Sequence, residues 1–193
     1  GSAVPYSEFT SMLDNEYHEL GEMIERIGSR QIRNNGTLGG NIGNASPIGD
    51  MPPALIALGA EISLQRGDVE RRIALEDFFI SYKKTVLKDA EFIKHIYIPK
   101  AKESQMFKLY KVSKRIDDDI SAVLAAFFLE IKDNIITEVR IAFGGMAGIP
   151  IRAKQCEAAL LNNQLSSDSI AAAQSALAQD FQPMSDVRAS DKY

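Results

Sequence analysis

Apolar residues recur at helical spacing along 7–27, where Leu20, Met23, Ile24 and Ile27 follow an i, i+3, i+4, i+7 rule and Glu19, Glu22 and Glu25 take other faces. One amphipathic helix is predicted there, ended by Gly28, which can adopt the left-handed conformation of a C-terminal cap. A shorter helix is predicted over 52–58: the prolines suit a first turn, Asp50 or Met51 precedes it as cap, and Gly59 closes it. The period then changes to two. Ile62 and Leu64, followed by Ile73 and Leu75 across the turn "RGD", predict a hairpin, and Phe92, Ile96 and Ile98 predict a third strand stopped by Pro99. A helical turn is expected near "LEDFFISY".

After the polar stretch "KAKESQ" at 100–105, three further strands are predicted over "MFKLYKVS", "SAVLAAFFLEI" and "TEVRIAFGGM", the last two joined through Asp133 and Asn134. Two helices close the chain, one over "RAKQCEAALL" and one from a cap at Ser166 or Ser167 through Ile170, Ala173 and Leu177. Helices and strands are segregated rather than alternating, so the fold class is α+β. The expected division is 1–100 and 101–193.

Composition narrows the function. The 193 residues carry 45% hydrophobic and 25% charged content, enough for a proper core, and a formal net charge of −4. No basic block is present to neutralise a run of phosphates, so neither nucleic acid nor a membrane surface is an expected partner. The lone Cys156 excludes a disulfide framework and a multi-cysteine metal site, which fits a reducing compartment, and the cytoplasm is the expected location. Gly1 and Ser2 read as extraneous to the natural chain.

Candidate chemistry concentrates in "NNGTLGGNIGNASPIGD" at 34–50, with Gly36, Gly39, Gly40, Gly43 and Gly49, ending on Asp50. A glycine run ahead of a helix can turn backbone N–H groups inward around a diphosphate. Its spacing matches neither the dinucleotide fingerprint nor the phosphate loop, and from spacing alone a structural turn and a ligand loop stand level. Lys111 alternates with Leu109 and Phe107 and should share their face, so it needs a partner: a flavin ring or diphosphate, or an Asp or Glu from a neighbouring strand. Asp117, Asp118 and Asp119 read as a solvated loop, and His18, His95, Cys156 and Met146 as structural; no metal ligands and no catalytic residue are assigned.

"TLGGNIGNASPIGDMPPALIALGAEI", with "RQIRN" upstream, closely resembles the flavin-binding segment of the xanthine dehydrogenase and aldehyde oxidase family of molybdenum hydroxylases. "FKLYKVSKRIDDDISAVLAAF" resembles that family's Lys-x-x-x-Arg-x-x-Asp-Asp-Ile segment, and "IAFGGMAGIPIRAKQCEAAL" its Gly-Gly-Met/Val-Ala stretch. "ASPIGD" favours the xanthine dehydrogenase branch. The resemblance implies the second part of a PCMH-type FAD-binding domain, its N-terminal subdomain missing, followed by a domain like the C-terminal one of carbon monoxide dehydrogenase flavoproteins. It implies FAD contacts from Thr37, Leu38, Gly39, Gly40, Asn41 and Asp50, a cation from Lys111, and apolar contacts from Ile27 and Ile93. An aromatic residue often stands in the family where this chain has Ile27. The resemblance further implies that electrons from purine (hypoxanthine or xanthine) oxidation pass through 2Fe-2S clusters and FAD to NAD, the clusters and molybdenum cofactor being held by other parts of the enzyme. On this reading the isolated chain is inactive and "RASDKY" begins a last helix. The alternatives are a cofactor-free interaction module of the same fold and the flavoprotein part of another molybdenum hydroxylase.

Overall fold

A computed structural model describes residues 1–183, 185–187 and 189–193. The predicted first helix is two helices, α1 (Tyr6–Glu16) and α2 (His18–Glu25). The break falls at Tyr17, which is extended (φ −141°, ψ 95°), buries its ring against Phe107 at 5.5 Å between centroids, and donates its hydroxyl to the Pro99 carbonyl at 3.0 Å. Gly21 makes the bend feasible, because a Cβ there would lie 2.3 Å from the Asp14 carboxylate. Tertiary anchoring of one aromatic thus overrides a continuous helical pattern.

A one-turn helix follows, α3 (Arg30–Arg33), and the glycine-rich segment is itself helical, α4 (Leu38–Gly43), rather than a loop. The Thr37 side chain accepts from Gly40 N, and Leu38 and Ile42 are buried; this cap and two apolar anchors offset the poor helix propensity of glycine. Next comes α5 (Met51–Ala57), every residue of which is buried. A helix apolar all round belongs inside a core, and α5 packs against strands of the second half.

The hairpin β1 (Glu61–Arg66) and β2 (Val69–Ala74) joins β5 (Phe92–Tyr97) in an antiparallel sheet of order β2-β1-β5. The helical turn near "LEDFFISY" is a 3-10 turn at Leu75–Asp77, followed by the small hairpin β3 (Phe79–Ser81) and β4 (Lys84–Thr85). The phase expected for β5 fails at its start. Leu64 pairs with Ile93 and Ser63 with His95, so Lys94 is an extra residue in a bulge. The bulge leaves Phe92 54% exposed and turns Ile93 into the core.

The second half is an antiparallel sheet of order β6-β7-β8-β9, from β6 (Gln105–Val112), β7 (Val123–Lys132), β8 (Ile135–Gly144) and β9 (Ile151–Arg152). Asp133 and Asn134, both at positive φ, make the tight turn between β7 and β8. One face of this sheet, with Phe107, Leu124, Ala126, Phe128 and Ala142, joins the core of the first half. The other, with Leu129, Val139, Ile141 and Phe143, packs on α6 (Lys154–Leu160) and α7 (Ser167–Asp180). Of the expected last helix at 188–193, Arg188 lies outside the described residues and 189–193 contain a turn, closed by Tyr193 N to Ser190 O at 3.1 Å.

Candidate functional site

The glycine segment is held from the N-terminal side. Ser2, expected to be extraneous, is built into it: Ser2 N donates to Lys94 O at 2.9 Å, its hydroxyl donates to Ile93 O, and Gly39 N donates to Ser2 O at 3.0 Å. A Cβ on Gly39 would lie 2.5 Å from that of Ser2, so glycine is required for this approach. The amides of Gly39 and Gly40 therefore have partners within the chain and do not form an open nest. Gly40 and Gly43 are exposed instead, leaving one face of α4 without side chains, and Ile93 lies beside it, its Cδ1 3.6 Å from where a Gly43 Cβ would stand.

At the far end of the segment, Asp50 occupies the cap position of α5 but makes no capping bond. A cap side chain ordinarily accepts from the second or third helical N–H. Those positions are Pro52 and Pro53, which have none. Denied local donors, the carboxylate turns into the boundary between the two halves: Lys111 Nζ donates to Oδ2 at 2.7 Å and Ser121 Oγ to Oδ1 at 2.5 Å. Lys111 shares the face of Phe107, as expected, and its side chain is 1% exposed against 9% for Asp50. Of the two kinds of partner open for Lys111, the structure provides a carboxylate, from a helix cap rather than a strand. Lys111 Nζ also donates to Arg26 O at 3.3 Å, and the Arg26 guanidinium returns bonds to Lys111 O at 3.4 Å and Ile116 O at 3.1 Å.

Among the described residues, two buried polar atoms near this pair lack a partner, Asn41 Oδ1 and Tyr6 OH. Asn41 Oδ1 lies 3.4 Å from where a Cβ on Gly49 would stand, next to Asp50, and the Tyr6 ring packs under Gly36. Burial, and then the charge of Asp50, push the Tyr6 phenol above its ordinary range, so it remains a donor. Leaving such groups unsatisfied costs about 1–3 kcal/mol each, so this corner suits a polar ligand. A bare helix face, an apolar wall and unsatisfied polar groups beside a buried ion pair fit a flavin dinucleotide.

Of the residues expected at the site, Thr37, Leu38, Gly39, Gly40 and Asn41 lie together at the start of α4, with Ile93 beside it and Asp50 bonded to Lys111. The Leu38 side chain is in the core, so only its backbone faces outward chemistry; Ile27 is half-buried next to Arg26. Sequence reasoning did not find Ser2, Tyr6, Arg26 or Ser121; Ser121 lies within the quoted "FKLYKVSKRIDDDISAVLAAF" segment but just past its patterned positions, and only the proline pair offers a signal that Asp50 must look for distant donors. The other candidates lie apart from this chemistry. His18 bonds Asp14 on an exposed helix face at 2.9 Å, Asp119 accepts from Arg115 N and Ile120 N, and burial pushes the Cys156 thiol up to about 11, leaving little reactive thiolate.

Residues 1–101 match the FAD binding domain in molybdopterin dehydrogenase and residues 108–193 the CO dehydrogenase flavoprotein C-terminal domain. The chain belongs to this family of flavin-binding proteins. Among curated relatives, nicotinate hydroxylase of Emericella nidulans is 38% identical over 146 residues, spanning 73% of this chain and 11% of the relative. Xanthine dehydrogenase of Blastobotrys adeninivorans is 35% identical over 170 residues, 80% of this chain and 12% of the relative. Carbon monoxide dehydrogenase from Hydrogenophaga pseudoflava superposes with a TM-score of 0.93 at 25% identity, covering all of this chain and 68% of that one. The chain thus spans roughly an eighth of the curated relatives' length. It is an FAD-binding portion of the molybdenum hydroxylase type, with the α+β arrangement expected.

Proposed function

We propose that this chain holds the flavin of a xanthine dehydrogenase-type oxidoreductase in which 2Fe-2S clusters and a molybdenum cofactor are carried elsewhere, with a purine as substrate and NAD as acceptor. The observation that carries the reading is the buried Asp50–Lys111 pair at the far end of the glycine segment, whose helix α4 leaves one exposed face bare. In this reading the backbone of Thr37, Leu38, Gly39 and Gly40 borders the cofactor, and Asn41 Oδ1 and the Tyr6 hydroxyl find in it the partners they lack. Asp50 accepts a hydrogen bond from it, Lys111 holds that carboxylate in place, and Ile93 and Ile27 give it apolar walls. FAD, when bound, supplies the electron and hydride chemistry; no residue of this chain serves as general acid or base. The chain is proposed to divide at 100/101, with the cofactor held along the boundary.

The identity to nicotinate hydroxylase favours a second reading of the substrate, a nicotinate-type ring in place of a purine. The flavin reading is tested by titrating FAD into the purified chain and following flavin fluorescence, with FMN as control for the adenine half. Saturable, FAD-selective binding is expected, weakened about tenfold or more in Asp50→Asn, which keeps the shape and removes the charge. Undiminished affinity in Asp50→Asn overturns the assignment of Asp50.

A further inference from the structure

Each oxygen of the Asp50 carboxylate takes one donor, and both come from the second half of the chain. Lys111 stands near the end of β6 and Ser121 just ahead of β7, so the donors sit on the two stems of the loop 113–120. Ser121 is 2% exposed, and its hydroxyl proton is committed to Asp50. A carboxylate gripped through one oxygen can swivel about that contact; gripped through both, by donors on different segments, its plane is fixed. The prolines at 52 and 53 make this grip consequential, because no local amide can hold Asp50 in its place.

We propose that Ser121 is a positioning residue for the cofactor: by holding Oδ1 while Lys111 holds Oδ2, it fixes the plane in which Asp50 offers its remaining lone pairs to the flavin. This rests on the reading of Asp50 as a flavin contact given above. Ser121 makes no contact with the cofactor in this role; it acts through Asp50.

The test compares FAD affinity of the 193-residue chain with that of Ser121→Ala and Ser121→Thr, each checked for folding by circular dichroism and thermal midpoint without FAD. Ser121→Ala is expected to bind FAD about tenfold more weakly, and Ser121→Thr, which keeps the hydroxyl, to recover most of that loss. A purely structural role would shift the thermal midpoint of Ser121→Ala and leave its FAD affinity unchanged, and that result overturns the proposal. So does a folded Ser121→Thr as weak as Ser121→Ala. Absence of FAD binding by the unaltered chain instead removes the reading of Asp50, and this inference with it.

Discussion

Gly145 shows how tightly single positions are drawn at the boundary between the halves. It sits at φ +86°, its N–H donates to the Pro47 carbonyl at 2.8 Å, and a Cβ would lie 2.2 Å from the Ala122 carbonyl oxygen. Gly145→Ala should therefore lower the unfolding free energy by about 2–4 kcal/mol, combining backbone strain with a clash against main chain that cannot rotate away. Equilibrium urea unfolding measures it, and a loss under about 1 kcal/mol would show that the strand end shifts to accommodate the methyl. Residues of this kind were only half legible. The strand predicted over "TEVRIAFGGM" runs through Gly145, whereas β8 ends at Gly144, and the need for a glycine there depends on a carbonyl more than twenty positions away. Lys111 was legible as a residue in want of a partner and Asp50 as a helix cap, and their bond to one another was not, because nothing local records which distant groups a fold brings together. Tyr6 and Ser121 gave no signal, since a buried hydroxyl looks in sequence like any other hydroxyl.

At the level of elements, alternation and turn chemistry located β6, β7 and β8 and the Asp133–Asn134 turn, because a period of two and positive-φ residues are local properties. The failures have tertiary causes: a buried tyrosine splitting α1 from α2, a bulge at Lys94 reversing the phase of β5, and a cap with two apolar anchors winding glycines into α4. Of the two serines predicted as caps for α7, Ser166 is the cap, in a reciprocal capping box with Ser169. Ser166→Ala should cost about 1 kcal/mol, seen as a lower denaturation midpoint with an unchanged slope. A neutral result would mean that the packing of Ala173 and Leu177 alone fixes the helix start.

For the whole molecule, pH dependence follows from carboxylates held low. Glu91 is pulled from 4.5 to about 2, first by its bond to Arg71 and then by the Lys88 amide; Lys94 lowers Glu70 and Lys132 lowers Glu130. A carboxylate depressed in the folded state binds fewer protons than in the unfolded chain, so its contribution is complete above 4.5 and is lost as pH falls toward 2. Denaturant midpoints should thus decline between pH 5 and pH 3, and Glu91→Gln should flatten part of that decline. An unchanged slope in Glu91→Gln would show that the Arg71 pair contributes nothing to it.

The Arg140 guanidinium, stacked on Phe128, donates to the Ala57 and Leu58 carbonyls at 2.8 and 3.3 Å and so grips the C-terminal end of α5 from the second half, while Asp50 is gripped at the other end by Lys111 and Ser121. Seven helical residues span only about 10 Å. Clamped at both ends by the same half of the chain and walled in along its length, α5 is a strut, and the place of the Asp50 carboxylate is set by the four-stranded sheet rather than by the segment that carries it.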